Sequence, residues 1–124
     1  MATIIVVDDE PDLRRLVRYV LEDAGHTVIE FVDGRGAIEH LKRESADLLI
    51  TDIFMPNFEG LETIRMVRTL RPELPILAIS GLLNERSDYL GVAARFGADA
   101  TLRKPFEPSE LIEAAALLLA QHCP

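Results

Sequence analysis

Acids, a hydroxyl and an amine stand at the ends of apolar runs in this 124-residue chain. Asp8 and Asp9 follow Ile4-Ile5-Val6-Val7, and Asp52 follows Leu48-Leu49-Ile50-Thr51. Ser80 follows Ile76-Leu77-Ala78-Ile79, and Lys104, just before Pro105, comes after Ala100-Thr101-Leu102. Such runs read as buried strands, and charges inside a sheet are costly. In an open parallel sheet, ligands bind outside the carboxyl ends of the strands, so all of these groups are expected at one edge. Three carboxylates crowded there repel and raise one another's pKa unless a cation sits among them. Oxygen-only ligands with room for water and a phosphate suit Mg2+. With the charge balanced, one carboxylate can act as a nucleophile on phosphorus, while Ser80 and Lys104 hold the equatorial oxygens.

Taken singly, each residue has a plainer reading. Asp9-Glu10-Pro11 can cap a helix and complement its dipole. Ser80-Gly81 can be an ordinary turn and Lys104 a surface lysine. Asp52, after a fully apolar strand, is harder to explain away. None of these readings accounts for the others, whereas one metal-assisted phosphoryl site accounts for all four positions.

The elements that must position these groups alternate between short apolar runs and stretches of helical periodicity. Leu13, Leu16, Val17, Val20, Leu21 and Ala24 form one stripe, and Pro11 and Gly25 bound a helix over about 11–24. A more alternating strand near 28–31, suited to a sheet edge, precedes a helix over about 35–43 that Asp33-Gly34 opens. The third strand, 47–51, is apolar throughout, as one covered on both faces should be. A helix over about 59–70 turns Leu61, Ile64, Val67 and Leu70 inward and stops at Arg71-Pro72. Strands at 75–79 and 100–102 flank a helix over about 84–96 that Gly97 closes. The last helix starts at Pro108 and buries Leu111, Ile112, Ala115, Leu118 and Leu119. Five βα units in succession predict a parallel, doubly wound α/β domain over residues 1–124.

Composition narrows the function. With 48% hydrophobic residues, the chain can bury a core of its own. A net charge of -8 argues against nucleic acid and anionic membranes, both of which want a basic face. The single cysteine, Cys123, excludes an internal disulfide and points to a reducing compartment. There is no signal-like start, and no apolar run approaches the ~18 residues of a membrane helix. A cytoplasmic protein is expected. The last helix runs nearly to the C-terminus; if the sequence is the whole gene product, it carries no output domain of its own.

At the level of motifs the chain resembles a two-component response-regulator receiver domain, of the CheY-like, stand-alone kind, along its full length. Val6-Val7-Asp8-Asp9-Glu10-Pro11 is similar to that family's acidic metal-binding loop. Asp52-Ile53-Phe54-Met55-Pro56, with Gly60 after it, resembles the loop around the phosphoacceptor. Ile79-Ser80-Gly81 matches the hydroxyl position, and Lys104-Pro105-Phe106 matches the lysine before a proline whose peptide bond is normally cis. The resemblance implies a flavodoxin-like sheet in the order 2-1-3-4-5 with five helices. It also implies that Asp52 accepts phosphate from a histidine kinase or histidine phosphotransfer protein. Asp9, Asp52 and the Phe54 carbonyl would bind Mg2+ directly, and Asp8 mostly through water. Ser80 and Lys104 would bind the phosphoryl oxygens and carry a switch to the face formed by the 84–96 helix, the fifth strand and the last helix. Phe54 and Leu82 would flank the path of the attacking water. One departure matters: the family usually has Tyr or Phe on the fifth strand where this chain has Thr101, which cannot fill that volume.

The remaining singled-out residues read as structure. His26, His40 and His122 have no metal-ligand spacing, and Arg14, Arg15 and Arg18 read as a solvated face beside the acidic edge. A monomer or weak dimer is expected, with Leu117 and the face of the 84–96 helix, the fifth strand and the last helix as the dimer surface, and the downstream target is an unnamed protein. A haloacid-dehalogenase-type phosphatase wants Asp-x-Asp after the first strand, and Asp8-Asp9-Glu10 puts an acid where the spacer belongs. In a flavin module on the same topology, Asp8-Asp9-Glu10-Pro11 would repel the phosphate. A degenerate receiver that only binds is opposed by the intact acids, serine and lysine, and favoured by Thr101.

Overall fold

Successive residues of a strand point to opposite faces of its sheet, so a strand that is apolar throughout needs cover on both. In β1 (Thr3–Val7), Ile5 and Val7 face one way and Ile4 and Val6 the other, and all four are buried. β3 (Leu48–Asp52) and β4 (Ile76–Ser80) are buried along their whole length. This computed structural model describes residues 2–53, 59–80 and 97–122. In it α1 (Pro11–Asp23) and α4 (Pro108–His122) cover one face, packing Val17, Val20, Leu21, Leu111 and Leu118 on Ile4, Val6, Leu48, Ile50 and Leu77. On the other face α2 (Gly34–Arg43) and α3 (Glu59–Leu70) pack Leu41, Ile64 and Val67 on Ile5, Val7, Leu49 and Ala78. Each fully buried Val, Leu or Ile side chain is worth about 1.5–3 kcal/mol. These two aliphatic layers therefore hold the frame that presents the polar strand ends.

With β2 (Thr27–Phe31) at one edge and β5 (Ala100–Arg103) at the other, the strands run parallel in the order β2-β1-β3-β4-β5. This is the doubly wound, flavodoxin-like sheet expected from the sequence. Four helices lie among the described residues, and the 84–96 stretch read as a further helix lies outside them. Gly25 turns the chain after α1 with φ of +99°, a conformation open to glycine without a Cβ penalty. Among the described residues no helix is long and apolar enough to cross a membrane.

Several boundaries and stripes differ from the sequence reading. β3 and β4 each run one residue past their apolar stretch, so Asp52 pairs in register with Ile79 and Ser80 with Arg103. Ladder bonds use backbone groups alone, and a polar side chain does not end a strand. Leu16, Leu70 and Ile112, read as inward-facing, are 49%, 37% and 39% exposed. Leu16 and Ile112 each adjoin a buried residue, Val17 or Leu111, and one step turns a helix by about 100°. Leu70 is the last residue of α3. Leu13 and Leu119 are half-buried, and Ala24 is exposed as the C-cap of α1.

Candidate functional site

β1 separates β2 from β3, so the strand order reverses there and leaves a crevice at the carboxyl ends. Asp8 lies just beyond β1, its N–H donating to the Phe31 carbonyl at 3.2 Å. The ladder also continues past the other strands: Ile53 N–H donates to the Ile79 carbonyl at 3.0 Å, and Lys104 N–H to the Ser80 carbonyl at 2.8 Å. These backbone bonds bring Asp52, Ser80 and Lys104 into one row. Carboxylate oxygens of Asp8, Asp9 and Asp52 lie within 4.8 Å of one another, Asp8 and Asp52 buried and Asp9 exposed. Gly60 lets the first turn of α3 sit against the end of β3. A Cβ there would collide with the Asp52 carbonyl oxygen and lie 2.8 Å from the Ile53 carbonyl carbon.

Lys104 Nζ is 2.9 Å from Asp52 Oδ2 and 3.8 Å from Asp8 Oδ2. The lysine therefore supplies part of the positive charge that the crowded acids require. Burial pushes the Asp8 carboxyl up from its ordinary 3.8 to about 6. The Glu10 N–H, which donates to Asp8 Oδ1 at 2.9 Å, and the Lys104 charge oppose that rise, while the Asp52 charge adds a smaller push. Repulsion among the acids is thus the lesser cause. Ser80 Oγ is fully buried and finds no hydrogen-bond partner among the described residues. Leaving a buried hydroxyl unpaired costs about 1–3 kcal/mol. The Ser80 backbone carbonyl accepts from the Lys104 N–H, which sets the two residues side by side at the strand ends. Three carboxylates at one point are a hard, all-oxygen donor set of the kind Mg2+ prefers.

The family model of the response regulator receiver domain matches residues 4–116. The chain belongs to that family. It is 35% identical over 126 residues to the response regulator receiver protein CpdR of Brucella abortus, covering 97% of this chain and 99% of that one. It is also 35% identical over 108 residues to the alkaline phosphatase synthesis regulator PhoP of Bacillus subtilis, covering 87% of this chain but 44% of PhoP. The receiver thus spans nearly all of some relatives and less than half of others. The solved structure of the chemotaxis response regulator CheY4 of Vibrio cholerae superposes with a TM-score of 0.83 at 31% identity, covering 95% of this chain and 98% of that one. Receivers are signalling modules of two-component systems rather than classical enzymes, and the family uses Mg2+ at its acidic pocket.

The structure brings Asp8, Asp9, Asp52, Ser80 and Lys104 together. The Lys104–Pro105 peptide bond is cis, and Phe106 packs on the α1–α4 layer. Thr101 sits exposed on β5, level with Ala78. Phe54 and Leu82 lie outside the described residues. His26 Nδ1 accepts from the Ala2 N–H at 3.3 Å, and the His40 ring meets Phe31 at a tilt of 53°, as structural histidines do.

Two arginines carry more than their sequence context showed. Arg14, read as part of a solvated face, is only 13% exposed; its Nε donates to Glu30 Oε1 at 2.9 Å and its Nη1 to the Asp8 carbonyl at 2.8 Å. The correction has a simple cause: the partners lie on β2 and at the end of β1, which periodicity within α1 does not reveal. Arg68 donates to the Gly97, Pro72 and Leu74 carbonyls and to Asp99. It ties the end of α3 to the approaches of β4 and β5, and the apolar spacing of α3 held no sign of it.

Proposed function

We propose that this receiver takes a phosphoryl group from a phosphohistidine onto Asp52. The single observation that carries the reading is the buried Asp52 carboxylate, 3% exposed, with Lys104 at 2.9 Å on one oxygen and, nearby on β4, a Ser80 hydroxyl that has no partner among the described residues. In the reaction a carboxylate oxygen of Asp52 forms a bond to phosphorus as the P–N bond to the imidazole breaks. With its other ring nitrogen already protonated, the imidazole takes the electron pair of the broken bond and departs as neutral histidine. Lys104 moves its ammonium from the carboxylate to the transferred group, and the Ser80 hydroxyl donates to it. Asp8, Asp9 and Asp52 would hold Mg2+, which when bound offsets charge on the phosphoryl oxygens.

The partner in this reading is a histidine kinase or histidine phosphotransfer protein in the cytoplasm. Ser80 and Lys104, each at the end of a strand, lie where a bound phosphoryl group can pull on β4 and β5. Pairing Ser80 with phosphate would pass a displacement toward β5, α4 and the 84–96 segment, the surface we assign to the output. Thr101, exposed and without an aromatic ring, leaves that coupling to the Ser80 strand end. The test is transfer of radiolabelled phosphate from a phosphohistidine protein in the presence of Mg2+. Rapid labelling of the wild type and none of Asp52→Asn is the expected result; labelling of the variant at the same rate would remove Asp52 from the reaction.

A further inference from the structure

The Asp8 backbone and carboxylate are held from three directions. Its N–H donates to the Phe31 carbonyl, its Oδ1 accepts from Glu10 N–H, and its carbonyl oxygen accepts from Arg14 Nη1 at 2.8 Å. Arg14 is itself anchored by Glu30 of β2 at 2.9 Å, and Arg18 Nη1 holds the other oxygen of Glu30 at 2.7 Å. The Arg18 and Arg14 guanidinium groups together keep the Glu30 carboxyl below its usual range. The carbonyl that Arg14 holds belongs to the peptide linking Asp8 to Asp9, and a peptide unit is planar. Fixing that plane sets the direction in which the chain leaves Asp8. It therefore sets where the exposed Asp9 carboxylate stands relative to buried Asp8 and Asp52.

We infer that Arg14 is a positioning residue for the divalent-cation site, acting through the Asp8 carbonyl with Glu30 as its anchor on the neighbouring strand. The inference rests on the reading of Asp8, Asp9 and Asp52 as the Mg2+ site. It also makes a prediction opposite in sign to simple electrostatics. A guanidinium near the acids repels an incoming cation, so removing it should tighten Mg2+ binding if charge is all that matters. If Arg14 positions Asp9, removing it weakens binding.

The experiment is calorimetric titration of Mg2+ into the full apo chain, well below its melting temperature. The wild type, Arg14→Gln, Arg14→Lys and Arg18→Gln are compared, with melting temperatures recorded in parallel. Arg14→Gln should weaken Mg2+ binding by roughly 10-fold or more, the range seen when outer partners of metal ligands are removed. Arg14→Lys keeps the charge but offers one nitrogen where Arg14 uses Nε on Glu30 and Nη1 on the Asp8 carbonyl, so it should also bind more weakly. Arg18→Gln, which touches Glu30 but not Asp8, should bind as the wild type does. Equal or tighter binding by Arg14→Gln, whatever its melting temperature, overturns the inference. Should that variant fail to fold, wild-type affinity in Arg14→Lys overturns it equally. Failure of the wild type to bind Mg2+ overturns the metal reading and this inference with it, whereas wild-type binding that Arg14→Gln leaves unchanged overturns this one alone.

Discussion

Replacing Asp8 by Asn should stabilise the metal-free receiver, and the gain should depend on pH. Asp8 is 4% exposed, and its folded pKa is about 6 against an ordinary 3.8. A displacement of about two pH units corresponds to about 3 kcal/mol, already net of the Lys104 attraction and the Glu10 hydrogen bond. The sign follows from proton binding. The folded state holds the Asp8 proton more tightly than the unfolded state, so stability from this group is complete below pH 3.8 and is lost as pH rises through 6. An Asn at this position has no such loss and can still accept from Glu10 N–H, although its amide meets Lys104 less well than a carboxylate does. Urea denaturation in EDTA should therefore show Asp8→Asn about 1–3 kcal/mol more stable than wild type at pH 7.5, with the difference shrinking toward zero near pH 4. Adding Mg2+ should reverse the ranking, because only the wild type gains fully from the ligand. A difference that is flat with pH, or a less stable Asp8→Asn protein at pH 7.5, would refute the claim that burial of this charge strains the apo site.

Other substitutions probe separate parts of the account. Ser80→Ala removes a buried hydroxyl that has no partner among the described residues, so the apo melting point should hold or rise while phosphoryl uptake from acetyl phosphate slows by roughly tenfold or more. A lower melting point with unchanged uptake would contradict it. Gly60→Ala forces α3 away from the end of β3, at a cost of about 1–3 kcal/mol by denaturation, and uptake should slow because Asp52 moves with that backbone. The phosphorylated receiver should lose its phosphate over many minutes, since neither Phe54 nor Leu82 can orient a water. Leu82→Glu and Phe54→Asn should each speed the decay, a positioned group being worth about 10²–10⁴-fold, and unchanged decay in both would place control of lifetime elsewhere.

The sheet was legible because its signal is redundant. Each of Ile4 through Val7 and Leu48 through Ile50 is apolar, and a strand with two apolar faces admits few arrangements. The acids, serine and lysine were legible for the complementary reason: each is a polar exception at the end of such a run. What stayed hidden depends on contacts between elements distant in sequence. The Arg14–Glu30 pair links α1 to β2, and Arg68 gathers carbonyls from loops on either side of β4. Helix periodicity records only the average inward direction, so it misplaced Leu16 and Ile112 at the margins of their stripes. The balance of charge was also out of reach of the sequence. Lys104 lies within 4 Å of both Asp52 and Asp8, and burial rather than mutual repulsion is the main strain on Asp8.

Intact-mass analysis after incubation with acetyl phosphate tests the central claim most directly, because it needs no cognate kinase. With Mg2+ the wild-type chain should gain one phosphoryl group, and peptide mapping should place it on Asp52. EDTA should prevent the gain, and Asp52→Asn should show none. Equal labelling of Asp52→Asn, or labelling undiminished by EDTA, would contradict the account.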